Sequence, residues 1–479
     1  MKNSMTRAIK TLGLVGLLAG VGPGAMGFSL LGPFKTWQVN AIGYQLAGDI
    51  GGPMLGNEGY RWNIPTIHYA FDSSFITYFG KPGMDAVDAA IQLFNELPRF
   101  SSITNDGFSL FVNGEPLPTD IRGPQNFSFL EAGLFDVKSQ AMQLLMEELG
   151  CAEPTRFTWT LRGREVFGTP PITNYSVIKL NYDPVTLQPS SYVNGQLYDY
   201  EVFDPFIFRN IMYADAIEVP VSPPFPYIFS AVADRFSGPG EYFFALSQDD
   251  IGGLRFLYNK DNFAVEPLVA GITGSAISSS PWAPYVGTNV IVSTNVVTTN
   301  VTGNLIVTGL RPGINKLKFR KVKYDSLLGQ FFAPVTTRYA DTVITGSRVV
   351  RQSLQRVLTQ PDLLIVAEDL GLAANFVPFH AARTVTTAWQ NNDALNGNDG
   401  IMGDQLGGPG VITPQIRIFF SDQLPYWLNS LPDFGPGPEG ALSSAVWGSF
   451  DENTEVPVIY PLWLNLTLED LQRLARSNR

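Results

Sequence analysis

Residues 246–258 read LSQDDIGGLRFLY. Ser247 is placed to accept a hydrogen bond from the backbone of Asp250, and Asp250 to return one to the backbone of Ser247. Ile251, Leu254 and Leu257 then recur at helical spacing and face inward. The stretch therefore predicts a capped amphipathic helix over 247–258.

Working outward, IPTIHYAFD (64–72) alternates, with Ile67, Tyr69 and Phe71 on one face and Thr66, His68 and Ala70 on the other, which predicts a strand. In MDAVDAAIQLFNELP (84–98), Met84, Val87, Ile91, Phe94 and Leu97 share one helical stripe that Pro98 ends. DVKSQAMQLLMEEL (136–149) predicts a second helix, with Gly150 placed to stop it. RFTWTLRGREVF (156–167) and YSVIKLNYD (175–183) have the composition of strands. In SSYVNGQLYDYEV, Asn194-Gly195 lies between alternating runs and signals a two-residue hairpin turn.

In three places the 62–260 region resembles the matrixins, which are metzincin zinc endopeptidases. IHYAFD with the following DAVDAAIQLFNELP is similar to their opening strand and first helix. IMY (211–213) resembles the methionine turn beneath their zinc, with Met212 as its methionine. LSQDDIGGLRFLY resembles their closing helix and is the most specific match. The family's metal motif is H-E-x-x-H-x-x-G-x-x-H. Two imidazoles one helical turn apart and a third after a glycine hold the ion, and the Glu activates its water. Counted back from Met212 at the family's spacing, NGQLYDYEVFD (194–204) stands in that place. Asn194 and Tyr198 occupy the first two histidine positions, Gly195 that of the Glu, Glu201 that of the Gly and Asp204 that of the third histidine. Of these, Asp204 alone is an ordinary zinc ligand. The resemblance thus implies a metzincin-like fold with a degenerate zinc site, no catalytic residue and no resident cofactor.

The 479 residues, 45% hydrophobic and 16% charged, with 46 Gly and 35 Pro, suit several short elements joined by turns more than a helical bundle. Residues 1–27 read as an export signal. Lys2, Arg7 and Lys10 precede the apolar TLGLVGLLAGVG, and Ala25-Met26-Gly27 offers small residues for cleavage before Phe28. Removing those three cations takes the formal net charge from −11 to −14. Such an acidic chain excludes nucleic acid as a natural partner. No later run has the roughly 18 apolar residues that a membrane span requires, so the mature chain is expected to lack a transmembrane segment. With a single cysteine, Cys151, no intrachain disulfide can form.

Residues 28–60 are expected as an arm packed on the next unit, since Phe28, Trp37 and Tyr44 are costly to leave in water. Residues 61–262 form the metzincin-like unit and 263–310 a Ser/Thr/Asn-rich linker or strands. Residues 311–479 are expected as a β-rich domain, a sandwich, from strand signals at NKLKFRKVKY, RYADTVIT, PDLLIVAEDL and PQIRIFFS. Thr467 with Asp470 predicts a capped C-terminal helix. The fold class is α+β: a mixed sheet with helices, followed by the β-rich part.

Three further readings concern sites. In NNDALNGNDGIMGD (391–404), Asp393, Asp399 and Asp404, with Asn396 and Asn398, are oxygen donors suited to calcium, although their spacing is not that of an EF-hand. YVNGQLYDYEVFDPF (192–206) sets aromatic rings beside Asp199 and Glu201, a combination able to stack on sugars. His68 is a candidate base, but neither G-x-S-x-G nor a P-loop accompanies it, and His380 is equally isolated. The chain is therefore expected to be secreted or associated with the cell envelope, and non-catalytic, binding an extracellular protein or polysaccharide. The alternatives are an active metallopeptidase or other hydrolase with atypical ligands, and a carbohydrate-binding or adhesion module.

Overall fold

The computed structural model describes residues 26–35, 37, 38, 51–204, 214–221, 231–234, 237–276, 305–324, 332–345, 348–368, 382–384, 388–391, 409–422, 446–450 and 456–477. It is a mixed, strand-rich architecture with several sheets and with helices packed on them. The alternating strand forms over Thr66–Phe71 and lies inside a five-stranded sheet. The order is Lys318–Lys321, Thr66–Phe71, Leu363–Glu368, Ile416–Ser421 and Ala382–Thr384. All pairs are parallel except the last. Ile67, Tyr69 and Phe71 meet the helices, while His68 and Ala70 are buried on the opposite face. Leu363–Glu368 reads LLIVAE without alternation, as expected of a strand covered on both faces.

This sheet departs from the expected sandwich. Strands at 318–321, 363–368 and 416–421, expected in a separate β-rich domain, pair in parallel around the strand at 66–71. Strands from both sides of the expected 263–310 linker thus share one sheet and one core. Hydrophobic alternation reports which face of a strand is buried, but it does not report the partner. Parallel partners are joined by long crossovers that leave no local mark.

The first helix spans Ser73–Glu96 and begins earlier than its apolar stripe suggests. Asp72 caps it by accepting from the Ser74 amide, and Gly80 (φ 59°, ψ −159°) interrupts it one turn before the predicted stripe. A side chain at Gly80 would run into Leu462. Phe75, Phe79, Val87, Ile91 and Phe94 are buried against the sheet and the helix Val137–Glu148. That second helix has Asp136 at its cap, and Gly150 follows it with φ 91°. Two of its end carbonyls, left without helical partners, are taken by core rings. Trp62 Nε1 donates to Glu148 O at 2.7 Å, and Tyr258 OH donates to Leu149 O at 2.9 Å.

Phe28–Gly32, expected as a packed arm, is a strand with every residue buried. It pairs antiparallel with residues 181–182, 151–152 and 52–53. Residues 263–267, 272–276 and 308–312 join the long hairpin Val335–Thr345 and Arg348–Leu358 in an antiparallel sheet, so the 263–310 region supplies strands. Thr467 and Asp470 cap the C-terminal helix through the Thr467 hydroxyl and the Asp470 carboxylate, and Leu471 is buried. Among the described residues no helix is long and apolar enough to cross a membrane.

Candidate functional site

The place where the resemblance puts the metal motif is a β-ribbon. Asn194 (φ 43°) and Gly195 (φ 88°) form the turn between Tyr192–Val193 and Gln196–Phe203, and the latter strand pairs with Asp215–Pro220. The cause is local. Two successive residues must take positive φ, and Asn-Gly does so at least cost. The consequence for metal chemistry is geometric. Residues four apart lie about 6 Å apart along a helix axis but about 13 Å apart along a strand. Positions 194 and 198 therefore cannot hold one ion as two imidazoles one helical turn apart do. Replacing Gly195 with Ala should cost about 1–2 kcal/mol, because a Cβ disfavours left-handed backbone, and a urea unfolding midpoint would measure it.

Asp204 ends the ribbon and is engaged by protein groups. Arg164 Nη1 lies 3.1 Å from Oδ1, and Tyr175 OH donates to Oδ2 at 3.1 Å. Both partners come from the neighbouring hairpin, Thr160–Phe167 with Ile172–Ile178. Burial and the bond to Asp204 raise the Tyr175 hydroxyl above the ordinary tyrosine range.

The ribbon turn is fastened to the closing helix, Gln248–Tyr258, which carries the predicted capping box. Asp250 accepts from the amides of Ser247 (2.8 Å), Val232 (3.0 Å) and Ala233 (2.9 Å). Asp249 Oδ2 accepts from the Asn194 amide at 2.6 Å. Asp234 accepts from the Thr155 amide and hydroxyl and from the Ala231 amide. All three carboxyl groups are buried. Burial raises Asp249 well above the usual carboxylate range, raises Asp250, and pushes Asp234 up to about 7. This acidic trio was not singled out from the sequence. The Asp-Asp pair of the capping box marked two of its members, but helix capping alone accounted for both. The trio ties the ribbon turn, the 231–234 loop and Thr155 to one helix end, and it presents no nucleophile.

The other candidate residues lie apart from one another. Cys151 is buried beside Phe28 and the closing helix, and burial pushes its thiol up, away from the reactive thiolate. His68 is fully buried in the central sheet, with Nδ1 3.4 Å from Asp362 Oδ2 and no hydrogen-bond partner on either ring nitrogen. Burial pushes Asp362 up, but the nearby His68, whose backbone amide donates to Oδ2 at 2.8 Å, and the Arg356 guanidinium prevail and hold it below its ordinary value. The aromatic stretch forms a strand in which Tyr198 is buried and Tyr200 is exposed. Trp159 packs on Tyr200 at 4.8 Å and Lys179 Nζ sits 4.7 Å over the Trp159 ring, while Asp199 and Glu201 are exposed on the opposite face of the strand. Met212, His380 and the calcium candidates Asp393, Asp399 and Asp404 lie outside the described residues. Among those described, no three His, Cys, Asp or Glu side chains are grouped to hold a metal. No protein-family model, curated protein or solved structure matches this chain.

Proposed function

We propose that this is an exported, non-catalytic protein on a metzincin-like frame, with a binding or structural role outside the cytoplasm. The observation that carries the reading is the ribbon at 192–203. It stands where a zinc helix would be required, and it ends on an Asp204 already held by Arg164 and Tyr175. The order of opening strand, first helix and capped closing helix supports the frame. A protein can keep a core and lose its chemistry, because function resides in sites carried by the fold. Metal analysis of the purified protein, with an assay on unstructured peptide substrates, tests this. The expected result is substoichiometric zinc and no hydrolysis; stoichiometric zinc with peptide cleavage would overturn it.

One observation favours a carbohydrate as the bound partner. Trp159 and Tyr200 form a stacking surface with the Lys179 cation over the indole, while the exposed Asp199 and Glu201 project from the opposite face of the ribbon. A glycan array should then show binding that Trp159→Ala reduces at least tenfold, consistent with the loss of about 1.4 kcal/mol. No signal on the array removes this reading and leaves the non-catalytic one intact.

A further inference from the structure

The antiparallel sheet built on the long hairpin has two unlike faces. Its order is Phe263–Pro267, Thr308–Pro312, Val335–Thr345, Arg348–Leu358 and Ile272–Ala276. Successive residues of a strand point to opposite faces, and residues paired across strands share one. On the strand Arg348–Leu358, Gln352, Leu354 and Arg356 are buried, whereas Val349, Arg351, Ser353 and Val357 are exposed. The register sets Arg338 beside Gln355 and Thr342 beside Arg351 on the exposed face.

Charge is divided between these faces. The five strands hold two acids, Glu266 and Asp341, and the register puts both on the covered face, where they pair with Arg61 and Arg311. The exposed face carries Arg338 and Arg351 and, among the described residues, no acid. Neither arginine forms an ion pair among those residues; Arg338 Nε donates to Gln355 Oε1 at 3.1 Å. Arg351 lies one strand over and four residues along from Arg338, about 14 Å away by strand spacing and rise. A face with cations and no acids is selective in a chain of formal net charge −11. Acids elsewhere reach it weakly, because the Debye length is about 8 Å at physiological ionic strength.

The uncharged residues around the arginines narrow the partner. Thr336, Thr342, Ser353 and Gln355 offer hydroxyl and amide groups that both donate and accept hydrogen bonds. Large aromatic anchors, which dominate protein–protein interfaces, are represented among the described residues of this face by Phe263 on an edge strand. The ladder groups of the two central strands are taken by their neighbours, so an added peptide strand has no place over the arginines.

We propose that this face binds an anionic polysaccharide, a polymer of carboxylate-bearing sugars. Arg338 and Arg351 each fork onto a sugar carboxylate, and the hydroxyl and amide side chains between them exchange hydrogen bonds with ring hydroxyls. One polymer reaches both arginines because its carboxylates recur along its length. The face is built on other strands than the Trp159 surface and does not depend on the metzincin-like frame. Its failure would leave the functional reading as it stands.

The test is calorimetric titration of the full chain with polygalacturonate at about 0.1 M ionic strength, with dextran as the uncharged comparison. Polygalacturonate should bind and dextran should not. Raising the salt to about 1 M should weaken binding at least roughly tenfold, since the Debye length falls to about 3 Å. Arg338→Ser with Arg351→Ser should weaken it at least about fivefold, as expected for two exposed charge contacts. Lys81→Ser, which removes an exposed cation from the first helix, should leave it unchanged. In the wild type, polygalacturonate should shield Arg338 and Arg351 from phenylglyoxal, read by peptide mass, a measurement that needs no variant to fold. The proposal fails if polygalacturonate does not bind, if dextran binds as well, if the double variant binds equally or if the two arginines stay unshielded. A concentration-dependent dimer that the double variant loses, with no polymer bound, would assign the face to a second copy of the chain and overturn the proposal.

Discussion

The free energy of unfolding should fall as pH rises from about 4.5 to about 8. Asp234 is pushed up to about 7 and Asp136 up to about 6, in each case chiefly by burial, from an ordinary value of 3.8. The sign follows from linkage. Raised carboxyl groups hold protons more tightly in the folded state, so the native protein binds more protons across this interval. Their stabilisation is full below the unfolded value and is lost as pH climbs through the folded values. At about 1.4 kcal/mol per pKa unit, Asp234 alone sets a ceiling of about 4 kcal/mol. Asp249 and Asp250, also raised, act in the same direction. Asp362, held low, opposes them only in acid, where its contribution disappears as pH falls below the ordinary carboxylate range. Urea midpoints at constant ionic strength, compared at pH 4.5 and pH 8, measure the slope. Asp136→Asn, which keeps a helix cap, should flatten part of it. Stability that rises across this interval would show that these groups are not held as the structure has them.

The second large effect is expected at Arg61. Its Nε lies 2.7 Å from Glu266 Oε1, its Nη1 donates to Leu257 O and Asn262 O, and its Nη2 donates to Arg311 O. Arg311 in turn pairs with Asp341, which accepts from Gln352. One guanidinium thus ties the end of the closing helix to two strands of the antiparallel sheet, and Arg311 extends the network to a third. Burial already raises Glu266 despite the attraction of Arg61. Removing the cation leaves a fully buried acid without its hydrogen-bonded partner, with only the charge of Arg311 still opposing the burial. Arg61→Met should therefore cost about 3–5 kcal/mol, and Arg61→Met with Glu266→Gln measurably less, because the double change removes the stranded charge. Denaturant unfolding of the wild type, both single variants and the double variant supplies the cycle. If Arg61→Met lowers stability by less than about 1 kcal/mol, the network is not the fastener that its burial implies.

The sequence by itself determined the local elements whose causes lie within a few residues. The Ser247–Asp250 capping box, the Asn194-Gly195 turn, the alternation over 66–71 and the Gly150 stop each form in the structure. The first helix begins before its apolar stripe because its opening turn, Phe75 to Phe79, precedes the Gly80 break. Only tertiary structure decided which strands are neighbours. The run LLIVAE marks a doubly covered strand, but nothing within it names Thr66–Phe71 as its parallel partner, almost three hundred residues away. The same holds for the acids. Asp234 and Asp249 look like ordinary surface carboxylates in the sequence and Asp204 like a degenerate ligand, and the burial and partners of all three arise only when distant segments converge. Short-range order follows from backbone sterics and periodicity, which a sequence displays directly. Pairing and desolvation depend on distant segments meeting, and only the folded chain brings those together.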